Sequence, residues 1–144
     1  MNSTSAATAA ALTFVWLGMV LAISFLEAPL KFRAPGVTLR LGLGIGRLVF
    51  RALNRVELVL AAGVLVAVVA GSPTTQVVLL TTLTVVLLGL QLALVRPRLN
   101  RRSDEVLAGK DDQPRSQEHV YYVILEVAKV FVLIALGIVL LLMV

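Results

Sequence analysis

The sequence contains no cysteine, so it has no disulfide framework, no thiolate metal site and no thiol nucleophile. It has a single histidine, His119, which excludes haem ligation by two histidines of one chain. Charge is scarce as well: 15% of residues are Asp, Glu, Lys or Arg, against about a quarter in an ordinary soluble domain. What is present instead is apolar, with hydrophobic residues making up 59% of the 144. A soluble domain of this length leaves too much surface exposed to bury such a share. A soluble enzyme, a secreted disulfide scaffold and a disordered regulator are thereby excluded. An integral membrane protein remains.

Four apolar runs follow one another without strand-like alternation, and an open sheet in lipid would leave its edges unsatisfied. A helix needs about 20 residues to cross a ~30 Å hydrocarbon core. Each run supplies that length when its polar flank is included. The expected fold is an all-α membrane protein, one integral domain over 1–144, with helices at about 6–28, 46–70, 74–95 and 119–144. Ala28-Pro29 should end or kink the first helix, because the residue before proline avoids helical geometry. Gly71-Ser72-Pro73 reads as a tight hairpin turn, with Ser72 as a cap and Pro73 near the next helix start. Arg96-Pro97 should close the third helix. The connections at about 29–45 and 96–118 are expected as loops, the second with a short helix around Ser103 to Ala108. Met1 to Ala11 carries no positive charge, so the basic region of a signal peptide is missing and the first run is expected to be retained.

Charge placement sets an expected orientation. All 13 Lys and Arg fall on the side that holds the end of helix one, the start of helix two, the end of helix three and the start of helix four. Retained Lys and Arg mark the cytoplasmic face. Both termini should therefore lie on the non-cytoplasmic side of what is expected to be a bacterial inner membrane. The net charge of +5 belongs to one face and suits contact with a bilayer of anionic headgroups. Aromatic residues do not interleave with the basic ones, which argues against nucleic acid as a partner.

Several ionisable groups sit too deep to be mere flanks. Leu58 to Ala70 is 13 residues, and Val130 to Val144 is 15, both short of a full span. Completing the crossing draws Asn54, Arg55 and Glu57 inward on helix two, and Glu126 and Lys129 on helix four. Glu27 lies at the inner boundary, and Gln91 lies five residues before Arg96. His119, Tyr122, Glu126 and Lys129 share one helical stripe, and Arg47, Arg51 and Arg55 form another with Asn54 beside it. Since a charge in the bilayer costs several kcal/mol unless paired or hydrated, the two stripes are expected to face each other. The resulting candidates for binding or relay are Glu27, Arg51, Asn54, Arg55, Glu57, Gln91, His119, Tyr122, Glu126 and Lys129. The bland counterpart is a structural ion-pair cluster with snorkelling Lys and Arg at its rim.

Other chemistry finds little purchase. Glu27, Glu57, Glu126 and His119 come from three helices, but the Glu-x-x-His spacing of carboxylate bundles is absent; neither a metal nor a cofactor is expected. Gly42-Leu43-Gly44-Ile45-Gly46 has no strand before it and no lysine-serine after it, so a phosphate-loop reading fails. It reads instead as a flexible lead into helix two. Small residues spaced four apart, such as Gly63, Ala67 and Gly71, allow close helix packing.

The stretch Ser24-Phe25-Leu26-Glu27-Ala28-Pro29-Leu30-Lys31-Phe32, followed by Gly46-Arg47-Leu48-Val49-Phe50 and Asn54-Arg55-Val56-Glu57, resembles the transmembrane protein 205-like family and similar small bacterial membrane proteins. The likeness covers about the first half of the chain. It implies a four-helix bundle, brings no catalytic residues with it, and carries an association with membrane transport and resistance to toxic compounds. Glu57 and the Glu126-Lys129 pair have no counterpart in that pattern.

Three functional readings follow. The first is a non-enzymatic accessory or scaffold module, as a homo-oligomer or within a larger membrane complex. The second is a small oligomeric transporter or channel with Glu57, Glu126 and Lys129 as an ion or proton relay. The third is a metal- or lipid-handling membrane enzyme. Larger carriers build midplane sites from repeated halves, and no such repeat is present here, so the first reading leads.

Overall fold

The computed structural model describes residues 1–108 and 117–144. Long apolar runs with good helix formers become helices, and among the described residues there is no strand. Helix α1 runs over Ser3–Arg33, α2 over Leu39–Ala70, α3 over Thr75–Leu107 and α4 over Gln117–Leu141. Each holds a segment long and apolar enough to cross a membrane. Ser3 Oγ donates to the Val144 carbonyl at 3.1 Å, so both termini meet at one end of the bundle, opposite the arginine-rich end.

Three boundaries differ from those read in the sequence. Helix α2 begins at Leu39 rather than near 46, capped by Thr38, whose hydroxyl accepts from Leu41 N–H at 3.1 Å. The 29–45 loop shrinks to Ala34–Thr38, where Gly36 turns the chain at φ 82°. Gly42 and Gly46 stand where α2 lies against the end of α1: a Cβ at Gly42 would collide with the Phe32 ring, and one at Gly46 would stand 2.8 Å from Lys31 Nζ, whereas Gly44 has nothing within 4 Å. Close packing here offsets the helix penalty of glycine, about 1 kcal/mol each.

The second concerns the prolines: of the two outcomes expected at Pro29, an end or a kink, the structure excludes the end, and Pro97 does not close α3 as expected. Helix α1 passes through a π-turn, Leu21–Glu27, before Pro29, and α3 passes through Gln91–Val95 before Pro97, then continues as Arg96–Leu107. Ala28 N–H bonds back five residues to Ile23 O, and Arg96 N–H to Gln91 O. Proline removes one backbone donor and its ring crowds the carbonyl four residues back. A turn widened to i→i+5 moves that carbonyl aside, so the helix goes on past the proline. The residues expected as the 96–118 loop are thus helical as far as Leu107; the rest of that connection, 109–116, lies outside the described residues.

The third is the hairpin cap. Ser72 takes the left-handed conformation, φ 56°, and Thr74 caps α3 instead, accepting from Val77 N–H at 3.4 Å.

Helix α1 packs on both α2 and α4, and α3 packs chiefly on α4. The core is formed by Ala9, Trp16, Val64, Leu88, Leu133 and Leu136 with their neighbours. Glycines set the closest approaches: a Cβ at Gly71 would meet Ser5 Cβ at 2.7 Å, and one at Gly137 would meet the Phe14 ring at 2.7 Å. Large apolar residues face outward along the same helices, with Val59, Val66, Val69, Leu79 and Phe131 between 64% and 75% exposed. This inside-out distribution is what a hydrocarbon solvent permits.

Candidate functional site: a buried ion network joining four helices

Lys129 projects from α4 into the middle of the bundle and is 0% exposed. Its ammonium group has three N–H donors and no acceptor, and three oxygens surround it. It donates to Gln91 Oε1 of α3 at 2.8 Å and makes a short hydrogen bond to Glu57 Oε1 of α2. Glu126, one turn back on α4, forms an ion pair with it at 2.6 Å. Helix α1 completes the set: Trp16 Nε1 donates to Glu57 Oε1 at 2.9 Å, and Ser24 Oγ donates to Glu126 Oε2 at 2.9 Å. All four helices thus contribute at least one polar group.

Local structure explains the aim of each group. Glu57 stands in phase with the buried stripe Leu53, Ala61, Val64 and Val68 of α2, so its direction follows from the packing face. Tyr122, Glu126, Lys129, Leu133, Leu136 and Leu140 form the corresponding stripe on α4. Ser24 lies within the π-turn of α1 and Gln91 opens the π-turn of α3. A π-turn adds a residue per turn and re-aims the side chains around it. Both widened turns thereby serve the same cluster.

The electrostatics are uneven. Two carboxylates share one ammonium, so the three side chains sum to one negative charge when all are ionised. Glu57 Oε2 and Gln91 Nε2 are buried without a hydrogen-bond partner among the described residues. Removing one member of a buried ion pair costs about 3–5 kcal/mol, because the other is left uncompensated.

Of the residues singled out in the sequence, Glu57, Gln91, Glu126 and Lys129 come together. Asn54 and Tyr122 are buried nearer the charged end, 8% and 6% exposed. Glu27 is not a member: it pairs with Lys31 at 3.7 Å, one turn along α1. Arg51 and Arg55 are exposed and do not face α4. The arginine stripe instead turns toward α3, where Arg47 pairs with Asp104. The phase of α2 decides this, since Arg55 follows the outward Val59 and Val66 while Glu57 follows the inward Ala61 and Val64. The side chain of His119 lies outside those described. Among the described residues no three His, Cys, Asp or Glu side chains come together as metal ligands would.

Two members were missed in the sequence. Trp16 is the chain's one tryptophan, set in a charge-free helix; a buried indole N–H needs an acceptor, which is the signal that could have found it. Ser24 gives no comparable signal, because its role depends on the π-turn.

A second polar layer lies toward the charged end. The Arg96 guanidinium sits 4.8 Å from the Phe50 ring centre and 4.5 Å from that of Tyr122. The two rings meet edge to face at 6.0 Å. Cation–π stacking of this kind holds a guanidinium in place. Between α2 and α3 a cavity of about 160 Å³ opens beside it, lined by Arg47, Arg51, Arg55, Arg96, Asn54 and Asn100.

No family model, no curated protein and no solved structure matches the chain.

Proposed function

We propose that the chain is a small integral membrane module whose buried ion network fixes the packing of its four helices, and that it serves as a non-enzymatic accessory or scaffold subunit. One observation carries this reading: Lys129, Glu57 and Glu126 are fully enclosed, Lys129 is paired with both glutamates, and the three are bonded to groups from the other helices. In hydrocarbon, where apolar contacts alone discriminate poorly between helix arrangements, hydrogen bonds across helices supply register.

Depth supports the membrane setting. Glu57 lies 13 residues before the end of α2 and Lys129 lies 12 before the end of α4, each about 20 Å from the neutral end of the bundle. With the neutral end at one edge of a ~30 Å core, the network would lie about two-thirds of the way across, in the leaflet beside the arginines. With the Lys- and Arg-rich end in the cytoplasm, both termini face the opposite side, as in a bacterial inner membrane. The resemblance of the first half to the transmembrane protein 205-like family is compatible with a module of this size, alone as a homo-oligomer or within a larger complex.

The odd charge favours a second reading. A lone negative charge in this setting is costly, and one bound proton would neutralise the three side chains. That is the property required of a proton relay in a small oligomeric carrier. Proteoliposomes separate the two. A module shows no proton flux in the wild type, and Glu57→Gln/Glu126→Gln leaves that baseline unchanged. A wild-type flux abolished in the folded double variant would replace the module with the carrier.

A further inference from the structure

The basic residues of α2 do more than mark an end of the bundle. Arg47, Arg51 and Arg55 recur every four residues on one face of α2, and Arg96 and Asn100 recur in the same way on α3. Helices α2 and α3 are consecutive yet touch little, and the cavity of about 160 Å³ between them is where these two faces converge. Four guanidinium groups therefore line one groove. Only Arg47 has a carboxylate partner among the described residues, Asp104 on the rim.

The groove is built rather than incidental. Arg96 is held between Phe50 and Tyr122, and its Nε and Nη2 are buried without a hydrogen-bond partner among the described residues. Asn54, 8% exposed, lines the same groove with its Oδ1 likewise unpartnered. The Tyr122 hydroxyl next to Arg96 is likewise buried without a partner among the described residues. The aromatic rings thus fix this guanidinium at the groove wall with no carboxylate beside it among the described residues, and a guanidinium fork matches the oxygens of a phosphate. Leu58, half-exposed on the side nearer the bundle's middle, offers an apolar wall next to the charges.

We propose that this groove binds a phosphate group, and that its occupant is the headgroup of an anionic phospholipid. Charge, location and the adjoining apolar wall all fit a molecule whose phosphate meets arginines while its acyl chains lie along Leu58 and the outward valines of α2. Binding of this kind requires that the chain span a bilayer with these arginines at headgroup level. It is independent of the role given to the Lys129 network.

The test uses the full chain in phosphatidylcholine nanodiscs with increasing phosphatidylglycerol, and lipid retention is read by native mass spectrometry after detergent release. Arg51→Gln/Arg55→Gln is the informative variant, because both side chains are exposed and their loss leaves the core intact. Retained phosphatidylglycerol should fall by about tenfold or more in that variant, while Arg33→Gln/Arg40→Gln, outside the groove, should change it by less than about threefold. Arg96→Gln should behave like the first pair wherever its melting temperature is preserved. Equal loss in both pairs would mean general surface attraction and would overturn the proposal. So would a melting temperature raised by inorganic phosphate in protein that retains no lipid, with that rise lost in Arg51→Gln/Arg55→Gln, since the occupant would then be a free anion. Reporter fusions at both termini check the membrane placement separately, so failure of the site and failure of the topology are distinguishable.

Discussion

Trp16 and Glu57 meet across 2.9 Å in the middle of the bundle, the indole N–H of α1 donating to the very carboxylate oxygen of α2 that Lys129 also holds. Trp16 is 1% exposed and Glu57 0%, so neither has water as an alternative. A tryptophan in the first helix thus sets the position of the second helix's acid, which in turn fixes the fourth helix's lysine.

Trp16→Phe keeps most of the ring volume and removes the donor. A hydrogen bond to a charged group is worth about 1.5–3 kcal/mol, and the variant should lose roughly that much in a denaturant titration in mixed micelles. An unchanged midpoint would show that Glu57 does not need the indole.

Lys129→Met leaves two carboxylates facing each other without a cation. The loss should reach about 3–5 kcal/mol. Adding Glu57→Gln and Glu126→Gln to the same chain removes the charges together, and stability should return to within about 1–2 kcal/mol of the wild type. The comparison is read from thermal unfolding in detergent. A triple variant as unstable as the single one would mean that Lys129 contributes by shape rather than by charge.

Pro97→Ala restores a backbone donor and would ordinarily strengthen a helix interior by as much as about 3 kcal/mol. Here the opposite sign is expected. Closing the π-turn at Gln91–Val95 rotates Gln91 away from Lys129 and breaks a 2.8 Å bond. The variant should melt below the wild type. Once Gln91→Leu has already removed that bond, adding Pro97→Ala should cost nothing further. A clear gain in melting temperature from Pro97→Ala alone would separate the proline from the network.

Two glycines make a matched pair. A methyl group at Gly71 would collide with Ser5 Cβ at 2.7 Å, whereas Gly18 has nothing within 4 Å. Gly71→Ala should cost about 1–3 kcal/mol by forcing α1 from α2. Gly18→Ala should gain up to about 1 kcal/mol from helix propensity. Equal effects would show that α1 and α2 do not approach as closely as the structure has them.

The number of helices, the helical hairpin at Gly71 to Thr74 and the stripe joining Tyr122, Glu126 and Lys129 were legible in the chain, because composition and a 3.6-residue period determine them locally. The short apolar stretches Leu58 to Ala70 and Val130 to Val144 also drew attention to Glu57 and Lys129 as groups too deep for a flank. Which face of α2 turns inward was not legible. Arg55 and Glu57 are two residues apart, about 200° around the helix, and only packing against Trp16 and α4 chose between them. The two prolines were equally ambiguous: a break and a bend look alike until a neighbouring helix holds the far segment in place. Local propensity therefore settled what the elements are, while contacts distant in sequence settled their phase, and phase is what gathers a lysine, two glutamates, a glutamine, a serine and a tryptophan from four helices around one point.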